Sequence, residues 1–152
     1  MSRSGYSDDN CEDNLAYGRW RAQVASATRG ARGQQFLRET LEALEAMPDK
    51  RLIANHLQDE SGCVCTLGAI GAKRGMDLQV VQHEVSDDPD DEESAFNNRM
   101  LGNKFGIAKQ LAAEIMYMND EGNWKPETPE QRWLRMRNWV AGEIAPPEEA
   151  RP

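Results

Sequence analysis

The chain has 152 residues, enough for one domain with a real core. Its 39% hydrophobic and 29% charged content is ordinary for a soluble protein, and no apolar run approaches the roughly eighteen residues of a membrane helix. A net charge of −8 argues against a general nucleic-acid binder, because phosphate contacts dominate that affinity.

The charge is unevenly laid out. Residues 15–41 hold Arg19, Arg21, Arg29, Arg32 and Arg38 against Glu39 alone, whereas 87–93, DDPDDEE, hold six acids and no base. Three cysteines is an odd, low count. Cys63 and Cys65 stand too close in sequence to pair easily, so reduced thiols in a cytoplasm are expected. The first fourteen residues carry no hydrophobic signal region, so secretion is not expected.

Residues 1–14 are polar and acidic, and are expected to fray. Over 15–28, Tyr17, Trp20, Val24 and Ala27 share one helical face, with Arg19 pointing away. TRGARG at 28–33 reads as a basic joint. The clearest helix is 34–47, with Phe36, Leu37, Thr40, Leu41, Leu44 and Met47 on one side and Pro48 as its stop. Around Leu52, Ile53 and Leu57 the pattern fits a short helix or a strand equally.

The middle of the chain, SGCVCTLGAIGAKRGM at 61–76, predicts a turn feeding a buried helix. Glycine inside a helix costs about 1 kcal/mol against alanine. Gly68 and Gly71 therefore imply close approach by a neighbouring backbone. Gly75 is the expected left-handed stop. Val80-Val81 fit either a strand or a further turn of helix. The acidic run at 87–93 reads as a solvated loop, and helix is expected again from Glu92 or Ser94 toward Lys104. Ile107, Leu111, Ile115 and Met118 then mark a helix ending at Asn119-Asp120. Thr128-Pro129-Glu130-Gln131 is a capping box, opening a helix with Trp133, Met136, Val140 and Ile144 as its stripe. Pro146-Pro147 ends it, with 146–152 as a loose tail.

These readings make the chain mainly α: one domain over 15–145 with five to six helices, and with either helix or a small hairpin near 52–66.

Several blocks also carry a resemblance: RGQQFLRETLEALEAMPDKRLI, CVCTLGAIGAKRG, FGIAKQLAAEIMYMNDEG and TPEQRWLRMRNWV. In this order they resemble small helical proteins encoded in phage and prophage genomes. The resemblance spans roughly residues 17–144, and Cys65, Leu67, Gly68, Ala69 and Asn119-Asp120 are its most specific parts. It implies a helical fold and a phage context in a bacterial host cell, and brings no catalytic residues or cofactor. The acidic insert and the CVC pair depart from it.

Candidate chemistry is sparse. Cys63, Cys65, His56 and His83 form a nominal zinc set, but H-x6-C-x-C-x17-H is no zinc-finger spacing. Cys65 at a helix start would favour thiolate, with His56 or His83 as base, yet no cysteine-protease signature surrounds it. GAIGAKRG lacks the Gly-Lys-Ser/Thr of a phosphate loop and matches the KH-type Gly-x-x-Gly only weakly. His83-Glu84 is not the deaminase His-x-Glu. No metal and no cofactor is expected.

Binding features remain. Arg19, Arg21, Arg29 and Arg32, interleaved with Tyr17 and Trp20, could grip a nucleic-acid backbone. Trp139, turned off its helix's apolar stripe and flanked by Arg132 and Arg135, has the composition of an interface anchor. Asp87, Asp88, Asp90 and Asp91 would suit a basic partner surface. The expectation is a cytoplasmic, non-enzymatic accessory protein that binds a host or phage protein. A nucleic-acid regulator and a thiol or zinc enzyme centred on Cys65 are the alternatives.

Overall fold

A computed structural model describes residues 3–6, 14–91 and 94–146. Among these residues seven helices form: α1 Asn14–Arg29, α2 Ala31–Ala46, α3 Thr66–Lys73, α4 Leu78–Val85, α5 Asn98–Phe105, α6 Lys109–Glu121 and α7 Pro129–Glu143. The mainly helical expectation holds, with one or two helices more than expected because Leu78–Val85 closes as a separate helix. Its start is set by Asp77, whose carboxylate accepts the Val80 amide. None of the described helices is long and apolar enough to cross a membrane.

The centre of the fold is α3. Thr66 to Gly71 are all buried, as the glycine-rich pattern implied. A Cβ at Gly68 would sit 2.1 Å from the Leu57 carbonyl oxygen, so only glycine lets that backbone come so near. Leu67 and Ile70 join one core cluster with Phe36, Phe105, Leu111 and Ile115, while Ala69 joins a second with Leu37, Leu44, Leu52, Met136 and Val140. Met76 and Trp139 touch both clusters, which makes the helices one body.

The hairpin near 52–66 shrinks to one antiparallel bridge, Gln58 with Val64, around a turn with Gly62 at φ 86°. The chain is diverted there because Ile53 and Cys65 donate to the Val64 and Leu57 carbonyls, leaving the segment to wrap the start of α3. Helix does not resume at Ser94: Phe96 bridges back to Ser86, and Asn97 caps α5 through the Met100 amide. The α7 capping box is complete, with both Thr128–Gln131 hydrogen bonds made.

Two further expectations change. Arg3–Tyr6 does not fray, for Arg3 and Ser4 are buried against the body. Tyr17 is 46% exposed and off the core, because α1 buries only its second half, at Val24 and Thr28, with Val24 buried as expected. The acidic residues Glu92 and Glu93, Cys11 and the 147–152 tail lie outside the described residues.

Candidate functional site

A dense polar cluster gathers at the start of α3. Cys65 is its N-cap, and the thiol accepts from the Gly68 amide at 3.4 Å. Thr66 donates from its amide and hydroxyl to Asn119 Oδ1, at 3.1 and 2.8 Å. Asn119 Nδ2 donates in turn to the Ile53 carbonyl and to Asp120 Oδ1. The Asn119-Asp120 pair is therefore an inward-facing tie in the last turn of α6 as well as a helix ending.

Arg3 completes the cluster. Its Nε and Nη2 donate to Asp120 Oδ2 and Oδ1 at 2.6 and 2.8 Å, and Nη1 reaches Cys65 Sγ at 3.5 Å. The guanidinium lies over the Phe96 ring, 5.7 Å from its centroid. Its side chain is 1% exposed and that of Asp120 3%. Burial alone would lower the Arg3 pKa, but Cys65 and Asp120 outweigh it and hold the group above its ordinary value.

A second layer surrounds Tyr6. Its hydroxyl donates to Glu114 Oε1 at 3.1 Å and accepts from Trp20 Nε1 at 2.8 Å. Its ring meets Trp20 edge-on and lies 4.9 Å from Tyr117. Burial, aided by Glu114, pushes the Tyr6 hydroxyl above the usual phenol range. Arg21 forks onto Glu114 at 2.7 and 2.8 Å, and this bond raises its pKa. Arg21 is thus engaged within the fold, whereas Arg19, Arg29 and Arg32 are exposed.

Trp139 is not an exposed anchor. It is half-buried where the two core clusters meet, because α2 packs along α7 and widens the buried face beyond the expected stripe. Its flanking arginines serve α6. Arg135 donates to the Met118 and Asn119 carbonyls, and Arg132 to those of Asn119 and Leu52. Cations suit the carbonyl-rich end of a helix. Glu127, 4% exposed, accepts from Arg135 at 2.6 Å; this bond first, then Asn123 and the nearby charges, hold its carboxyl below the usual range.

Among the described residues the most exposed aromatic is Trp124, 87% exposed in the α6–α7 turn, with Lys125 Nζ 4.8 Å from its ring centroid. Its only sequence signal was a tryptophan set among the turn residues Gly122, Asn123 and Pro126. Arg32 meets Arg99 and Lys109 around a cavity of about 350 Å³ floored by the Gly106–Ala108 turn. Nothing in the spacing of these cations foretold that meeting. Asp87, Asp88, Asp90 and Asp91 are exposed on a loop closed at its base by the Ser86–Phe96 bridge.

Cys63 and His56 are half-buried, His83 is exposed on α4, and Cys65 is fully buried. Among the described residues no group of three or more His, Cys, Asp or Glu gathers where it could hold a metal ion. The Cys65 thiol does not line an open cleft; a guanidinium covers it. No family profile matches the chain, and neither a curated protein nor a solved structure matches it.

Proposed function

We propose that this chain is a non-enzymatic phage or prophage accessory protein that binds another macromolecule, and that it inhibits or redirects a host factor such as a component of a defence system. The phage setting is supported by the resemblance of the Cys-x-Leu-Gly-Ala helix, the Asn-Asp pair and the Thr-Pro-Glu-capped helix.

The observation that carries the binding reading is Trp124. Tryptophan is highly buried on average, yet here it stands almost wholly in solvent. Its turn is held in place. Asn123 donates to Glu127 and accepts from the Lys125 amide, and Glu127 is locked by Arg135. A large aromatic on a pre-ordered turn loses little conformational entropy on binding, which is the physical basis of an anchor. The exposed aspartates at 87–91 supply charge for a basic partner surface.

The test is a pull-down from host lysate with wild type and Trp124→Ala, followed by titration of the purified pair. A partner retained by wild type and lost with the variant is expected. Recovery at background, or recovery indifferent to Trp124, sinks the reading.

A second reading, nucleic-acid binding, is favoured by the cavity that joins Arg32 to Arg99 and Lys109. Three cations imply a log–log salt slope no steeper than about −2.7. Gel shifts at low salt should then weaken on Arg32→Glu and Lys109→Glu; no shift, or no weakening, removes this reading.

A further inference from the structure

The segment Arg3–Tyr6 lies on the helices as a peptide lies in a receptor. Its Arg3 carbonyl accepts from the Phe96 amide at 3.1 Å, and its Ser4 carbonyl from Asn98 Nδ2 at 2.9 Å. Arg3 fills a charged socket made by Asp120, Cys65 and Phe96, and three residues on Tyr6 fills an aromatic notch made by Trp20 and Tyr117.

The socket is organised by groups other than the segment itself. Asp120 Oδ1 also accepts from Asn119 Nδ2 at 2.8 Å and from the Asn55 amide at 3.1 Å. Asn55 sits at φ 71°, the single non-glycine residue with positive φ among those described. Strained backbone persists where the surroundings enforce it, and here it aims an amide at the carboxylate. Asp120 is thereby oriented independently of the arginine it receives.

A plain structural plug has no need of charge. Replacing a buried ion pair by apolar side chains is often neutral or stabilising. What the fork adds is selectivity, since guanidinium matches a carboxylate with two parallel bonds and lysine cannot. Asn98, whose Nδ2 holds the Ser4 carbonyl, keeps its Oδ1 buried without a hydrogen-bond partner.

We propose that this groove recognises an extended segment of a partner protein bearing arginine and, three residues later, an aromatic residue, and that Arg3–Tyr6 holds the groove closed in cis. The proposal deepens the macromolecule-binding reading and rests on it for the partner's being a protein. A tethered segment competes at an effective concentration on the order of mM. The cis segment therefore sets a threshold that only a well-matched partner overcomes.

The probe is a fluorescent peptide of the segment's own sequence, Ser-Arg-Ser-Gly-Tyr-Ser, titrated by anisotropy into the full chain. Saturable binding to Arg3→Ala is expected, at least tenfold tighter than to wild type. The same peptide with lysine for its arginine should bind at least tenfold more weakly, and Arg3→Ala/Asp120→Asn should bind neither. Should Arg3→Ala fail to fold, Tyr6→Ala, which keeps the ion pair, decides the matter by binding the peptide more tightly than wild type. Absence of peptide binding by the folded variant overturns the proposal. So does equal affinity for the arginine and lysine peptides. A wild-type dimer by light scattering that Tyr6→Ala converts to monomer also overturns it, for then the occupant is a second copy. Failure of the pull-down with success of this titration would remove the Trp124 anchor and leave the groove standing.

Discussion

At Asp120 four donors meet one carboxylate: two from Arg3, one from Asn119 and one from the Asn55 backbone. Removing one partner of a buried pair strands the other's charge, which costs about 3–5 kcal/mol. Asp120→Ala should therefore lower unfolding stability in urea by that amount. The double variant Arg3→Met/Asp120→Leu should recover most of it, because no charge is left stranded. Glu127 makes a pH prediction. Its folded pKa lies below the ordinary 4.5, so its contribution is whole above about pH 4.5 and is lost as pH falls through the lowered folded value. Urea midpoints taken from pH 7 to pH 3 should fall less steeply for Glu127→Gln than for wild type.

Among the elements, α3 stands where the two core clusters meet. Its eight residues touch both core clusters, and Gly68 brings it against the Leu57 carbonyl. A methyl group there meets backbone, which cannot rotate aside as a side chain can. Gly68→Ala should destabilise by about 3 kcal/mol or more, despite alanine's better helix propensity. Thermal unfolding would show it; a neutral or stabilising effect would mean that α3 is not pressed against 52–57.

For the molecule as a whole, two tryptophans separate interior from surface. Trp139 packs half-buried between the clusters, and Trp139→Ala should cost about 2 kcal/mol in equilibrium unfolding, below the range of a fully buried aromatic. Trp124 stands in solvent, and Trp124→Ala should change stability by no more than about 0.5 kcal/mol. A partner lost on Trp124→Ala, with the unfolding curve unmoved, would place the loss at the interface and not in the fold.

Local pattern alone determined the helical class, the capping box at Thr128, the stop at Gly75 and the buried glycine helix at 66–73. Each depends on residues within one or two turns of one another, where spacing and cap chemistry suffice. Tertiary structure decided the rest. Arg3 lies 117 residues from Asp120, and Arg32 meets Arg99 and Lys109 only across packed helices. A helical wheel leaves Trp139 off the apolar stripe because it does not show which second helix will cover its flank. Such pairings arise when the long-range core closes, and no local periodicity encodes them.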